Sequence, residues 1–153
     1  MGLDTTHDCW HGAYSDFMRW RMALAEAAGL PPLDLMEGFY VPVGSPSGLP
    51  TFYARGYEQE EFSGLRRIDE HLPIRWESLK PSPLHELLYH SDCDGEIPWE
   101  SCGPIADALE ALLPALDKMG GAGGHIGRYG DKTRTFIDGL RRAAEARENV
   151  EFH

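Results

Sequence analysis

Residues 90–96 carry the densest set of chemically active side chains in the sequence. They combine an imidazole, a thiol, three carboxylates and a turn glycine within seven positions. Turns favour Asp and Gly, but they have no use for His and Cys beside them. Residues 7–11 repeat these types near the N-terminus, as His-Asp-Cys-Trp-His. Since folding does not call for such clusters, we expect a functional site and expect the two clusters to meet in space.

The first chemistry that residues 90–96 suggest is metal binding. Imidazole and carboxylate groups suit Zn, Mn or Fe, and a catalytic metal needs about three protein ligands and an open position. We therefore take His90, Asp92 and Asp94 as candidate ligands of a divalent metal, which is the one candidate cofactor. The alternative is a solvent-facing acidic turn with a hydrogen-bonded histidine.

Two further interpretations of this segment remain open. Residues 92–97 resemble the centre of an EF-hand loop, but His90 and Ser101 stand where such a loop needs Asp and Glu, which argues against calcium. Cys93 or Cys102 could instead act as a nucleophile with His90 as its base. Buried, inert thiols are the alternative for such cysteines.

A second candidate site follows a glycine-rich segment at residues 120–130. The segment leads into a predicted helix. Residues 124–142 contain five Lys or Arg residues and only two Asp residues, although the whole chain has a net charge of −11. Backbone amides and the positive end of a helix suit a phosphate. A true P-loop has Gly directly before Lys, whereas Asp131 stands there. The groups predicted to hold a small anionic ligand here are Arg128, Lys132, Thr133 and Arg134.

The aromatic and arginine-rich residues 14–21 are the third candidate. Such side chains can stack on a base and bind its phosphates. Phe17 and Trp20 have the spacing of a core face, so Tyr14 and Arg21 are the predicted ligand contacts. The complete predicted ligand-binding set is Tyr14, Arg21, His90, Asp92, Asp94, Arg128, Lys132, Thr133 and Arg134.

The elements that must position these groups are three helices and a few short strands. Apolar spacing of three and four predicts helices over residues 12–28, 102–116 and 132–146, with Pro114 kinking or ending the second. Asp131 is the predicted N-cap of the third. Three short strands are predicted, at residues 38–43, 51–55 and 150–153. The predicted class is α+β, a compact single domain over residues 1–153, with 33–80 as an irregular Pro/Gly-rich insertion or lid.

Composition excludes several broad classes of function. A chain of 153 residues with 42% hydrophobic residues can bury a real core. The net charge of −11 argues against general binding of nucleic acids or anionic membranes. No apolar run could cross a bilayer, no secretory signal is present, and the cysteine count is odd. We therefore expect a cytoplasmic protein, with a homo-oligomer kept open.

Residues 6–21, 90–96 and 124–153 resemble those of small uncharacterised proteins encoded by phages and bacteria. The resemblance implies a cytoplasmic protein of phage or bacterial origin and no known activity. Our first hypothesis is a binding module for a phosphorylated or nucleotide-like ligand, such as a phage inhibitor of host defence that sequesters a nucleotide signal. The second is a metal-dependent hydrolase of a phosphate ester or nucleotide. The third is an acidic protein-interaction factor.

Overall fold

A computed structural model describes residues 2–39, 73–121 and 127–153. The chain divides into two compact units, one formed by residues 1–29 and 82–153 and the other by residues 30–81. The predicted fold class is confirmed: α+β, with three main helices and small antiparallel sheets. None of the described helices is long and apolar enough to span a membrane.

The described α-helices of the first unit are α1 (Tyr14–Ala27), α2 (Leu84–Leu88), α3 (Trp99–Met119) and α4 (Tyr129–Ala146). The helices α1, α3 and α4 agree with the three predicted ones in place and differ at their ends, whereas the short α2 is not among those predicted. The first helix starts two residues later than predicted because the preceding residues form a strand. The sequence predicts that Pro114 kinks or ends the second main helix. The proline does not end it, because α3 continues to Met119. Leu109 and Leu116 are buried before and after Pro114, and this packing outweighs the hydrogen bond that proline cannot donate.

The start of α4 also lies earlier than predicted. Its N-cap is Arg128, and Asp131 lies within the first turn, so the prediction of Asp131 as the cap is wrong. Tertiary contacts fix this first turn: Gly130 is buried so close to Asp117 of α3 that an added Cβ would overlap the carboxylate. The Tyr129 amide also donates to the Gly120 carbonyl at 3.0 Å.

Four short strands form two antiparallel pairs, β1 (Gly2–Asp4) with β2 (His11–Ala13), and β3 (Glu96–Ile97) with β4 (Val150–Glu151). The C-terminal residues join the pairs. Asp4 and His153 exchange both backbone hydrogen bonds, at 2.8 and 2.9 Å, while the Phe152 amide donates to the Gly95 carbonyl on the other side. An isolated bridge between Thr5 and Phe152 thus links the two strand pairs, and Glu96 lies directly opposite Glu151.

An aromatic cluster forms the core of the first unit. The Trp10 ring centroid lies 5.1 Å from that of Phe17 and 5.2 Å from that of Trp20, which itself lies 4.7 Å from Phe136 of α4. The buried Trp20 indole donates to the Thr133 hydroxyl at 2.9 Å. Phe17 and Trp20 are thus core residues, and they fix α1 and α4 against the N-terminal segment.

The second unit is described only at its two ends. Leu33–Leu35 and Trp76–Ser78 are short 3₁₀ turns, and Met36 forms an isolated bridge with Ile74. The predicted strand at residues 38–43 begins in a turn at 38–39, and its remainder, with the predicted strand at 51–55, lies outside the described residues. The assignment of residues 33–80 as an insertion or lid stays a prediction.

Candidate functional site

Arg21 holds the segment that carries residues 90–96. Its side chain is 1% exposed, and one guanidinium nitrogen donates to the carbonyls of Leu88, at 3.2 Å, and His90, at 2.5 Å. Burial lowers its pKa to about 10, while the nearby negative charge of Asp92 acts in the opposite direction. The sequence predicts Arg21 as a ligand contact, whereas the structure places it inside the protein, where it positions the loop after α2.

His90 uses both ring nitrogens inside its own loop. Nδ1 lies 2.7 Å from the Ser91 carbonyl oxygen and Nε2 lies 3.2 Å from that of Glu96. The ring stacks on Phe152 with 4.1 Å between centroids. In this arrangement neither nitrogen faces Cys93 as a base would. Among the described residues, no three His, Cys, Asp or Glu side chains are arranged to hold a metal ion.

Asp94 and Glu96 are exposed, whereas Asp92 is half-buried and its negative charge acts on Arg21. Asp94 accepts a hydrogen bond from the Ser91 hydroxyl at 2.7 Å, and the Cys93 thiol lies 3.8 Å from the same oxygen. The loop continues into β3 and α3, where further exposed carboxylates follow, and β4 adds one from across the sheet. We call this group the acidic corner: Asp94, Glu96, Glu100 and Glu151.

The acidic corner differs in ion pairing from the carboxylates between α3 and α4. In the described parts of the chain, no Lys, Arg or His nitrogen lies within 4 Å of a carboxylate of the acidic corner. On α3, by contrast, Asp107 and Glu110 both bind Arg141, at 3.0 and 2.8 Å. Glu96 and Glu151 are also directly opposed, which brings two like charges together across a strand pair.

The cations predicted to bind an anion are largely used within the protein. Arg134 binds both carboxylate oxygens of Asp117, at 2.6 and 3.1 Å, and also contacts Asp131 at 3.3 Å. Hydrogen bonding to Arg134 lowers the pKa of Asp117. Thr133 is fully buried and bonded to Trp20. The Asp117 carboxylate thus lies beside the first turn of α4, where the sequence predicts an external anion.

Lys132, Arg128 and Tyr14 have different surroundings. Lys132 places its ammonium 4.4 Å from the centroid of the Trp10 ring and donates to the His11 carbonyl at 3.2 Å. Arg128 is exposed at the N-cap of α4. Tyr14 is half-buried as the first residue of α1. The structure therefore does not bring the nine predicted ligand residues to one place.

The N-terminal cluster forms a tight turn against α4. His7 and Asp8 have φ values of 59° and 54°, a conformation uncommon for residues other than glycine. The His7 carbonyl accepts a hydrogen bond from Arg142 at 2.6 Å, and its ring lies 3.3 Å from Glu148. Burial raises the pKa of the Cys9 thiol to about 12, so this cysteine is not a nucleophile in the folded protein.

The two clusters are linked through the C-terminal strand. His11 is on β2 and pairs with Asp4 of β1, while residues 90–96 lead into β3. The Glu151 amide on β4 donates to the Thr6 hydroxyl, next to the N-terminal cluster, and Glu151 is paired with Glu96. That the two clusters form one site stays a prediction.

Sequence reasoning missed several contacts that the structure brings together. The pairing of β1 with β2, the Asp4–His11 pair, the Asp117–Arg134 pair and the contact of Lys132 with Trp10 all join residues from different segments. In β1 the sequence offered only a single apolar residue, Leu3, next to Asp4, which is too short a pattern to identify a strand.

No protein-family model, curated protein or solved structure matches this chain. The resemblance to small phage and bacterial proteins stays a prediction, as do the expected origin and cellular location. The function must therefore be argued from the charges and contacts described above.

Proposed function

We propose that this protein is an interaction module whose acidic corner binds a lysine- or arginine-rich segment of a partner protein. The observation that carries the proposal is the contrast in ion pairing. Arg134 and Arg141 are neutralised by carboxylates of the chain itself, whereas the acidic corner has no ion pair among the described residues. A basic segment would supply the missing countercharges, and complementary charge also speeds association.

The direct opposition of Glu96 and Glu151 supports this proposal on energetic grounds. Like charges directly opposite one another destabilise a strand pair. Ion pairing with a bound cation would relieve that repulsion. The pair is therefore costly in the free protein and favourable in the complex, as expected for a binding surface.

The other two hypotheses have less support from the described residues. A nucleotide-binding site at α4 would lack Thr133, which is buried, and would compete with Asp117 for Arg134. A metal-dependent hydrolase would need His90 to leave both of its carbonyl partners. The acidic corner, in contrast, needs no rearrangement to meet a cationic segment.

The test measures binding of fluorescently labelled decalysine by polarisation at low ionic strength. The test variant combines Glu96→Gln with Glu151→Gln. The control combines Asp107→Asn with Glu110→Gln, which changes the net charge equally at carboxylates that Arg141 already neutralises. Each lost contact between a carboxylate and a lysine is worth about 1 kcal/mol in water, reduced by screening. We therefore expect the affinity for decalysine to fall about tenfold in the test variant and less than about twofold in the control.

Two results would contradict the proposal. One is equal loss in both variants, since binding would then follow net charge alone. The other is absence of decalysine binding to the wild-type protein in low salt. As an independent readout of the repulsion, the test variant should have a higher melting temperature than the wild type, because two opposed carboxylates become neutral amides.

A further inference from the structure

We propose that the acidic corner prefers arginine to lysine in its partner, and that Trp99 is the residue that selects it. This inference rests on the function proposed above and specifies the chemistry of the partner. Trp99 is half-buried and directly precedes Glu100 on α3. Its backbone amide donates to the Asn149 side chain at 3.0 Å, two residues before Glu151. Trp99 is therefore held between Glu100 and the strand that carries Glu151.

The observation that carries the inference is a guanidinium of this chain against the Trp99 ring. The guanidinium carbon of Arg147 lies 5.8 Å from the centroid of that ring, within the limit of about 6 Å at which a cation is attracted to an aromatic face. Arg147 is exposed, and no carboxylate lies within 4 Å of its guanidinium among the described residues. The contact therefore depends on the ring and not on an ion pair.

A partner arginine can replace Arg147 at this ring. Hydrogen bonds fix the backbone of Arg147 at the end of α4, where its amide donates to the Ala144 carbonyl at 3.2 Å. Its guanidinium has the ring contact without an ion pair in the described parts of the chain. An arginine of the partner would gain the same ring contact and would also pair with Glu100 or another carboxylate of the acidic corner. Replacement is therefore favourable.

The chemistry of the two basic side chains explains the preference for arginine. A guanidinium is planar and weakly hydrated, so it stacks on an aromatic face and can still bind a carboxylate through two parallel hydrogen bonds. An ammonium group is compact and strongly hydrated, and it pairs with a carboxylate as a point charge. A lysine would therefore use the carboxylates of the acidic corner but gain less from the Trp99 ring.

The test compares labelled decaarginine with labelled decalysine by fluorescence polarisation on the full-length protein. The quantity measured is the ratio of the two affinities, because a change in net charge affects both peptides and largely cancels in the ratio. Trp99→Leu should lower the ratio about two- to fivefold, the loss expected for one exposed cation–π contact. Trp99→Phe is the matched control, since it keeps an aromatic ring and should keep most of the preference.

A second pair of variants tests the role of Arg147 without altering the ring. Arg147→Gln removes the guanidinium that lies against Trp99 in the free protein, so the preference for decaarginine should increase. Arg128→Gln makes the same change of charge at an exposed residue at the start of α4 and should leave the ratio unchanged. Circular dichroism checks that each variant is folded, and if Trp99→Leu is not, this second pair decides.

The outcomes separate this inference from the proposed function. Failure of both peptides to bind the wild-type protein overturns the proposed function and this inference together. If decalysine binds but the ratio is the same in the wild type and Trp99→Leu, only the inference is overturned. It is also overturned if Arg147→Gln and Arg128→Gln have equal ratios. A ratio that falls in Trp99→Leu, persists in Trp99→Phe and rises in Arg147→Gln supports selection of arginine by Trp99.

Discussion

Replacing Gly139 by alanine should destabilise this protein, although the same change in most helices does the opposite. Gly139 is buried within α4, where the N-terminal turn crosses the helix. An added Cβ would lie 2.9 Å from both the Cα of Cys9 and the carbonyl oxygen of His7, and would overlap the Cys9 sulfur. Two of these three atoms are backbone atoms of a turn that already has unusual φ angles, so relief by side-chain rotation is not available.

The magnitude follows from two opposing effects. Alanine is favoured over glycine in a helix interior by about 1 kcal/mol. Overpacking a well-packed core costs about 1–3 kcal/mol, and overlap with backbone atoms belongs at the upper end of that range. We therefore expect Gly139→Ala to lower the free energy of unfolding by about 2 kcal/mol. For a chain of this length, that corresponds to a fall in melting temperature of about 4–8 °C.

The control is Gly103→Ala in α3, where an added Cβ would meet nothing within 4 Å. This variant should gain up to about 1 kcal/mol. Thermal and urea unfolding followed by circular dichroism measure both. If Gly139→Ala proved as stable as the wild type, or gained stability as Gly103→Ala should, the close docking of the N-terminal turn on α4 would be refuted.

Three further predictions concern the cysteines and the buried Thr133 hydroxyl. Cys93 is exposed while Cys9 and Cys102 are buried, so a thiol reagent should modify one cysteine per native chain and three in denaturant; a faster second reaction in the native state would contradict this burial. Burial raises the pKa of the Cys9 thiol from 9.0 to about 12, so the unfolded chain loses this proton at lower pH than the folded protein. The free energy of unfolding should therefore fall as the pH rises from about 9 to about 12. Urea unfolding curves at a series of pH values should show a smaller fall for Cys9→Ala. Thr133→Val should lower the free energy of unfolding by about 1–3 kcal/mol, because it leaves the Trp20 indole N–H buried without its acceptor; unchanged urea unfolding would contradict that hydrogen bond.

The sequence alone predicted the three main helices and a large part of their buried faces. Phe17 and Trp20 lie three residues apart on α1, Leu109 and Leu116 lie seven apart on α3, and all four are fully buried. Local spacing carries this information because a helix places residues three and four apart on one face, whatever the rest of the chain does. Helix ends were less predictable: contacts with other elements extend α3 past Pro114 and start α4 before Asp131.

The sites could not be predicted in the same way, because they depend on which segments meet. The charge of Arg134 is evident from sequence, but its neutralisation by Asp117, 17 residues earlier, depends on how α3 packs against α4. The sequence does not distinguish Arg21 from an exposed arginine that binds a ligand. It is buried because its guanidinium donates to the carbonyls of the loop after α2.

The sequence by itself determined which charged and reactive residues the protein has: an acidic chain, two clusters rich in His, Asp and Cys, and a cationic α4. The tertiary structure alone decided which of those charges are satisfied internally. The physical reason is that hydrogen bonds and ion pairs act only over a few ångströms, and those distances are set by pairing between residues as far apart in sequence as Asp4 and His153.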